Sequence, residues 1–168
     1  MLDVAIEADE EWDSSTRWEE LVSRAARAAV AESAFPQLGE AARPVELSVR
    51  LAGDEEVRQL NAHWRRKDSP TNVLSFPMAE DYELEQADED APELLPGDLI
   101  LAHGVCRREA ADKAIPLADH AAHLVVHGTL HLLGYDHGDD AAAEAMEQRE
   151  VRPLARLGIA DPYCAGER

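Results

Sequence analysis

Basic side chains are scarce in this chain, where 16 lysines and arginines stand against 35 aspartates and glutamates and leave a formal net charge of -19. Phosphate contacts are made by cations, so a surface that binds nucleic acid indiscriminately is excluded. Long apolar runs are lacking as well, none approaching the roughly 18 residues of a membrane-spanning helix. The N-terminus, Met1 to Glu11, is acidic and mildly alternating, unlike a secretory signal. A soluble, cytoplasmic protein is expected. Only two cysteines occur, Cys106 and Cys164, with neither a paired metal spacing nor a disulfide framework, which fits a reducing compartment. They read as small core or tail residues. Internal repeats are absent, and 168 residues with 45% hydrophobic content suffice for one domain over residues 1–168.

What is present alternates between strand and helix patterns. Leu2 to Glu7 has the period of an edge strand, and Val45 to Leu51 repeats Val, Leu, Val, Leu on one face after Pro44. Thr16 and Glu19 match a capping box before apolar positions at helical spacing through about Ala34. Gly53 and Asp54 open a short helix to about Trp64, Asn72 to Phe76 and Asp98 to Ala102 read as buried strands, and a helix follows from about Gly104. Between those two strands lies an acidic segment, residues 79–96. Its first part, Ala79 to Glu93, holds eight carboxylates and no base, so it is expected to be a solvated, mobile loop. The rest of the chain is still acidic without it. From Leu117 to Leu133 the sequence is apolar almost all round, which predicts a helix at the protein's centre, with Pro116 at its start. Asp139 or Asp140 can cap a last amphipathic helix through about Leu157. The fold class is α+β: a small mixed sheet of about four strands packed with helices.

The chemistry is concentrated in His127-Gly128-Thr129-Leu130-His131-Leu132-Leu133-Gly134-Tyr135-Asp136-His137. Residues four apart stack on one helical face about 6 Å apart, so His127 and His131 can hold one ion together. His137 comes six residues later and reaches the same ion only if the helix stops first. Gly134 stands where it should stop, because glycine accepts the left-handed conformation that ends a helix. Three imidazoles leave a fourth tetrahedral position open, the arrangement of a catalytic zinc site. Zinc suits imidazole, although nickel, copper and iron also accept it. Zinc peptidases with the pattern HExxHxxGxxH carry a glutamate after the first histidine as general base, and here that position is Gly128.

With that difference, His123 to His137 resembles the histidine motif of the bacterial YbeY family of endoribonucleases, metal-dependent factors in ribosomal RNA maturation. Asn61 to Pro77, with the run Asn61-Ala-His-Trp-Arg65-Arg-Lys-Asp68-Ser-Pro70-Thr71-Asn72, is similar to that family's arginine-containing loop and following strand, and Gly97 to Ile100 to its next strand. Order and spacing fit from about Val45 to Arg152; the acidic insert and the ends lie outside the pattern. The resemblance implies a zincin-like fold with a central metal-bearing helix. It implies one zinc ion per chain held by His127, His131 and His137, and Arg65 as the catalytic arginine. It further implies a single-strand-specific endoribonuclease in ribosomal RNA maturation, small-subunit biogenesis and RNA quality control. Its partners would be ribosomal RNA and the small ribosomal subunit or its assembly factors, with neither membrane nor DNA.

The chemistry agrees with that implication. An ion ligated by neutral imidazoles keeps its double positive charge, which attracts a phosphodiester despite an acidic surface. Arg65 can offer a planar fork to the phosphate, and Arg66 or Lys67 a backbone contact. From the residues alone, Arg65 reads first as a surface arginine paired with Asp68 or with the acidic loop, and it is the resemblance that turns the reading to catalysis. His123 either lines the cleft and relays a proton or is a satisfied core histidine. Asp136 either orients a ligand imidazole or is an exposed turn carboxylate. Trp64 and Tyr135 read as core residues before base-stacking ones. Two other functions compete: a metal-dependent peptidase or amidohydrolase, opposed by Gly128, and a ribosome-assembly binding factor with little catalysis.

Overall fold

A computed structural model describes residues 2–39, 43–85, 93–135 and 140–162. The alternating segments form a four-stranded sheet: β1 (Leu2–Ala8), β2 (Val45–Ala52), β3 (Val73–Pro77) and β4 (Gly97–Ala102). Their order is β1-β2-β4-β3, with β1, β2 and β4 parallel and β3 antiparallel at the edge. The mixed sheet expected from the sequence is therefore present. A parallel neighbour needs a crossover, and α1 (Trp18–Ala31) supplies the one between β1 and β2. The other helices are α2 (Asp54–Arg65), α3 (Asp81–Glu85), α4 (His103–Asp112), α5 (Leu117–Leu132) and α6 (Asp140–Arg156).

The all-round apolar helix lies where its composition requires. Helix α5 packs against α1, α4, α6, β3 and β4, and Ala121, Ala122, Val125, Val126 and Leu130 are buried on it. Gly128 sets its distance from the sheet, because a Cβ there would meet Leu99 Cδ2 of β4 at 2.7 Å. The main core is formed by α1, α5 and α6 with the Val45, Leu47, Val49, Leu51 face of β2. A smaller cluster, Ala52, Val57, Leu74 and Ala102, seats α2.

Three expectations are corrected. Helix α1 begins at Trp18 rather than from a Thr16 cap, and its N-terminal residue Arg17 makes no side-chain capping bond. Tertiary packing overrides the local motif: Trp18 is buried edge-on to Trp12, their centroids 4.9 Å apart, and its indole N–H donates to Asp13 O. The acidic segment is not simply a solvated loop. It contains α3, and Leu84 and Leu94 are both buried in the main core. The backbone of Leu94 bonds to Pro44 and Glu46 beside β2, and Met78 N–H donates to Pro96 O. Trp64 is not a core residue; it is 64% exposed at the end of α2. Among the described residues no helix is long and apolar enough to cross a membrane.

Candidate metal centre

Spacings of three and four residues place His120, His123, His127 and His131 along one side of α5. The rings of His127 and His131 have centroids 4.7 Å apart, and those of His123 and His127 are 6.4 Å apart. The helix ends as the glycine requires. Gly134 adopts φ 101°, the Leu133 N–H donates to Thr129 and Leu130 carbonyls, and the Tyr135 N–H returns to Leu130 O at 3.1 Å. Tyr135 is half-buried; its hydroxyl accepts from Ala34 N–H at 2.9 Å and Arg149 lies over its ring, so it packs as expected. His137 and Asp136 lie outside the described residues.

A residue with no part in the sequence motif organises this helix face. Glu150 of α6 is 0% exposed, and its two oxygens take His123 Nε2 at 2.6 Å and His127 Nδ1 at 2.9 Å. His123 is thus both cleft-lining and hydrogen-bonded. One turn earlier, buried His120 donates from Nε2 to Glu109 at 2.8 Å, and Asn72 Nδ2 holds the same carboxylate at 3.0 Å. Burial pushes the His120 pKa down against the opposing pull of Glu109. These groups line a cleft of about 320 Å³ that runs from Asn72, Glu109 and Lys113 past His120 and His123 to His127.

Arg65 closes α2 and is exposed, and it is not among the residues lining that cleft. Its expected partner Asp68 pairs with Arg58 instead, and among the described residues Arg65 makes no ion pair. The loop it opens is held in shape. Arg66 takes the left-handed conformation at φ 59°, Lys67 N–H returns to Asn61 O, and the buried Asn61 side chain donates to Ser69 O at 2.8 Å. The fold therefore presents three consecutive cations beside exposed Trp64.

With these features in place, comparison with known proteins is decisive. The family model described as Endoribonuclease YbeY matches residues 5–158. The chain belongs to the YbeY family. A relative named endoribonuclease YbeY from Rhizorhabdus wittichii is 52% identical over 168 residues, covering 99% of both chains. Another from Novosphingobium aromaticivorans is 53% identical over 162 residues, covering 95% of this chain and 94% of its own. The solution structure of a Thermotoga maritima protein aligns with TM-score 0.55 at 22% identity, covering 92% of this chain and 91% of its own, and so shares the fold.

In this YbeY-family chain the donor set suits a zinc ion. His127 meets Glu150 through Nδ1 and His131 stands beside it, so two imidazoles of the kind zinc takes share one helix face. Among the described residues no three His, Cys, Asp or Glu side chains group around one ion; the expected third ligand, His137, falls outside them. Glu150 and the Glu109–His120 pair escaped the motif search, yet Glu150 carried a signal. It lies four residues from buried Met146 and four from buried Leu154, a carboxylate on the apolar stripe of α6.

Proposed function

We propose that the protein is a zinc-dependent endoribonuclease that cleaves single-stranded RNA in ribosomal RNA maturation in the cytoplasm, with the small ribosomal subunit or its assembly factors as partners. The observation that carries the reading is the His127–His131 pair, with His127 bonded to a buried carboxylate at the end of an open cleft. The names of relatives about half identical over nearly the whole chain support nuclease chemistry.

His127, His131 and His137 would hold the ion. Zinc, when bound, supplies Lewis acidity toward a phosphoryl oxygen and lowers the pKa of water at its open position. The remaining work belongs to the chain. Arg65 extends a planar guanidinium toward a phosphate and steadies charge that builds during cleavage. The Asn61 clamp holds that loop before substrate arrives, so less ordering entropy opposes binding. The acidic exterior repels RNA elsewhere, which limits productive contact to the cationic loop and the cleft. A peptidase is disfavoured on geometry as well as sequence. Gly128 faces Leu99 in the sheet, so the position that bears a peptidase's general base points into the core.

The test measures bound zinc and ribosomal RNA cleavage together in the wild type, His131→Ala and Arg65→Ala. His131→Ala is expected to lose both, and Arg65→Ala to keep zinc while losing cleavage. Undiminished cleavage by either folded variant removes that residue from the mechanism.

A further inference from the structure

The three tryptophans divide sharply. Trp12 and Trp18 are 4% and 6% exposed, whereas Trp64, in the last turn of α2, is 64% exposed. A single apolar side chain in water is ordinary and carries no meaning by itself. The surroundings of Trp64 give it one. From Gln59 to Lys67 the chain holds three cations and no carboxylate, in a protein of formal net charge -19. The next acid, Asp68, is drawn to Arg58, and among the described residues Arg65, Arg66 and Lys67 make no ion pair. All three are exposed.

We propose that Trp64 is a stacking platform for one unpaired base of the RNA strand whose phosphate Arg65 contacts. The inference rests on the RNA reading of the site and deepens it, because it names a side chain that selects a single strand over a duplex. Every nucleobase has a π-face to offer an indole, but a base inside a duplex keeps its faces against its neighbours, and only an unpaired base turns one outward. The indole has a face to give in return. Its ring partner is His63, with centroids 4.7 Å apart and planes at 86°, and a perpendicular contact of this kind covers at most one side of the ring.

Platform and cations are held together by one buried side chain. Asn61, 3% exposed and one turn before Trp64, donates from Nδ2 to Ser69 O, and its carbonyl accepts the Lys67 N–H. The left-handed Arg66 turns the chain directly after Arg65. Lys67 is five residues from Asn72, at most roughly 17 Å of chain, and Asn72 lines the cleft that ends at His127. Cations for the backbone next to an aromatic face for the bases are the two parts of a single-strand site, and on this acidic surface the cations alone would hold a strand weakly.

Binding is measured on the protein as isolated, in the cold, with short labelled oligoadenylate, with the same ribose-phosphate strand lacking bases, and with an RNA duplex of equal length; gels confirm that the strands stay uncut. Affinity is read from the label, and quenching of tryptophan fluorescence reads Trp64, because Trp12 and Trp18 are buried. The wild type is expected to bind oligoadenylate at least about fivefold more tightly than the abasic strand, with its fluorescence quenched, and the duplex to leave the fluorescence unchanged. Trp64→Leu keeps apolar bulk without a ring and is expected to bind both single strands alike, whereas Trp64→Phe restores the preference for the adenylate. Equal affinity of the wild type for the two single strands overturns the inference and leaves Trp64 to a protein partner; this comparison needs no variant. A preference that survives in folded Trp64→Leu, or quenching by the duplex as strong as by the single strand, overturns it too. Cleavage of ribosomal RNA without any quenching by the oligomer overturns this inference alone, whereas a wild type that neither binds nor cuts RNA overturns the nuclease reading with it.

Discussion

Alanine at Gly128 measures how closely the histidine-bearing helix is seated on the sheet. The new Cβ would lie 2.7 Å from Leu99 Cδ2 and 3.3 Å from Cδ1. Carbon atoms make their best contact at about 3.5–4.0 Å, so one methyl is overlapped by roughly 1 Å. Leu99 is wholly buried, and it has no solvent to swing into. Forcing an extra methyl into a packed core costs about 1–3 kcal/mol. Against this, replacing glycine by alanine inside a helix returns about 1 kcal/mol. The net expectation is a loss of about 1 kcal/mol, which in a domain of this size lowers Tm by about 2–4 °C. Equilibrium urea unfolding of the metal-free protein gives the difference directly. A Gly128→Ala variant more stable than the wild type refutes the reasoning, because Leu99 would then yield at no cost. Gly128→Glu, which restores the zinc-peptidase pattern, places its carboxylate against Leu99 and is expected to lose several kcal/mol while gaining no peptide hydrolysis.

Three further outcomes follow from positions described above. Gly97→Ala is expected to cost at least about 3 kcal/mol by urea unfolding, since φ is 148° and a Cβ would sit 2.3 Å from the Phe76 carbonyl oxygen; near-neutral behaviour contradicts the β3–β4 geometry. His120 has its pKa lowered below 6.5 by burial, so the unfolded chain takes up a proton before the folded one does, and stability falls as pH drops through 6.5 toward the folded value. His120→Gln should flatten that acid-side loss in urea midpoints compared between pH 7.5 and 5.5; equal slopes would exclude His120 as its source. Burial pushes the Cys106 thiol up to about 12, with Glu109 adding to it, so Cys106 should resist iodoacetamide at pH 8 until the protein unfolds. Peptide mapping that finds Cys106 labelled as fast in the native as in the unfolded protein would show the site to be open.

Period and punctuation made most of the architecture legible. Val45–Ala52 alternates because one face lies in the main core, and α5 is apolar all round because it is surrounded. The helix stop at Gly134 was readable for the same reason: only a residue without Cβ takes φ 101° at little cost. Failures came where long-range packing outweighs local chemistry. Thr16 carried a capping motif, but burial of Trp12 and Trp18 fixes the entry to α1 two residues later. Leu84 and Leu94 were hidden among carboxylates, although each fills the main core. Trp64 looked like core by residue type and proved exposed beside cations, because α2 turns its Val57 and Leu60 face to Ala52, Leu74 and Ala102 instead. Within the candidate site, the shared face of His127 and His131 showed in the spacing, whereas Glu150 is one of three glutamates on α6 and differs only by its place on the buried stripe.

The bonds from Glu150 to His123 and His127 span only 27 and 23 residues, while the β1–β2 pairing joins strands more than forty residues apart. Short separations close quickly and cheaply. The contacts among His120, His123, His127, His131 and Glu150 are thus late-synthesised but locally assembled, since all of these residues follow the last sheet strand in the chain. A chain synthesised only as far as α5 has every strand of the sheet and the histidine helix but lacks the carboxylate that His123 and His127 bond to. The buried bonds of that helix face therefore form only after translation has reached the last helix.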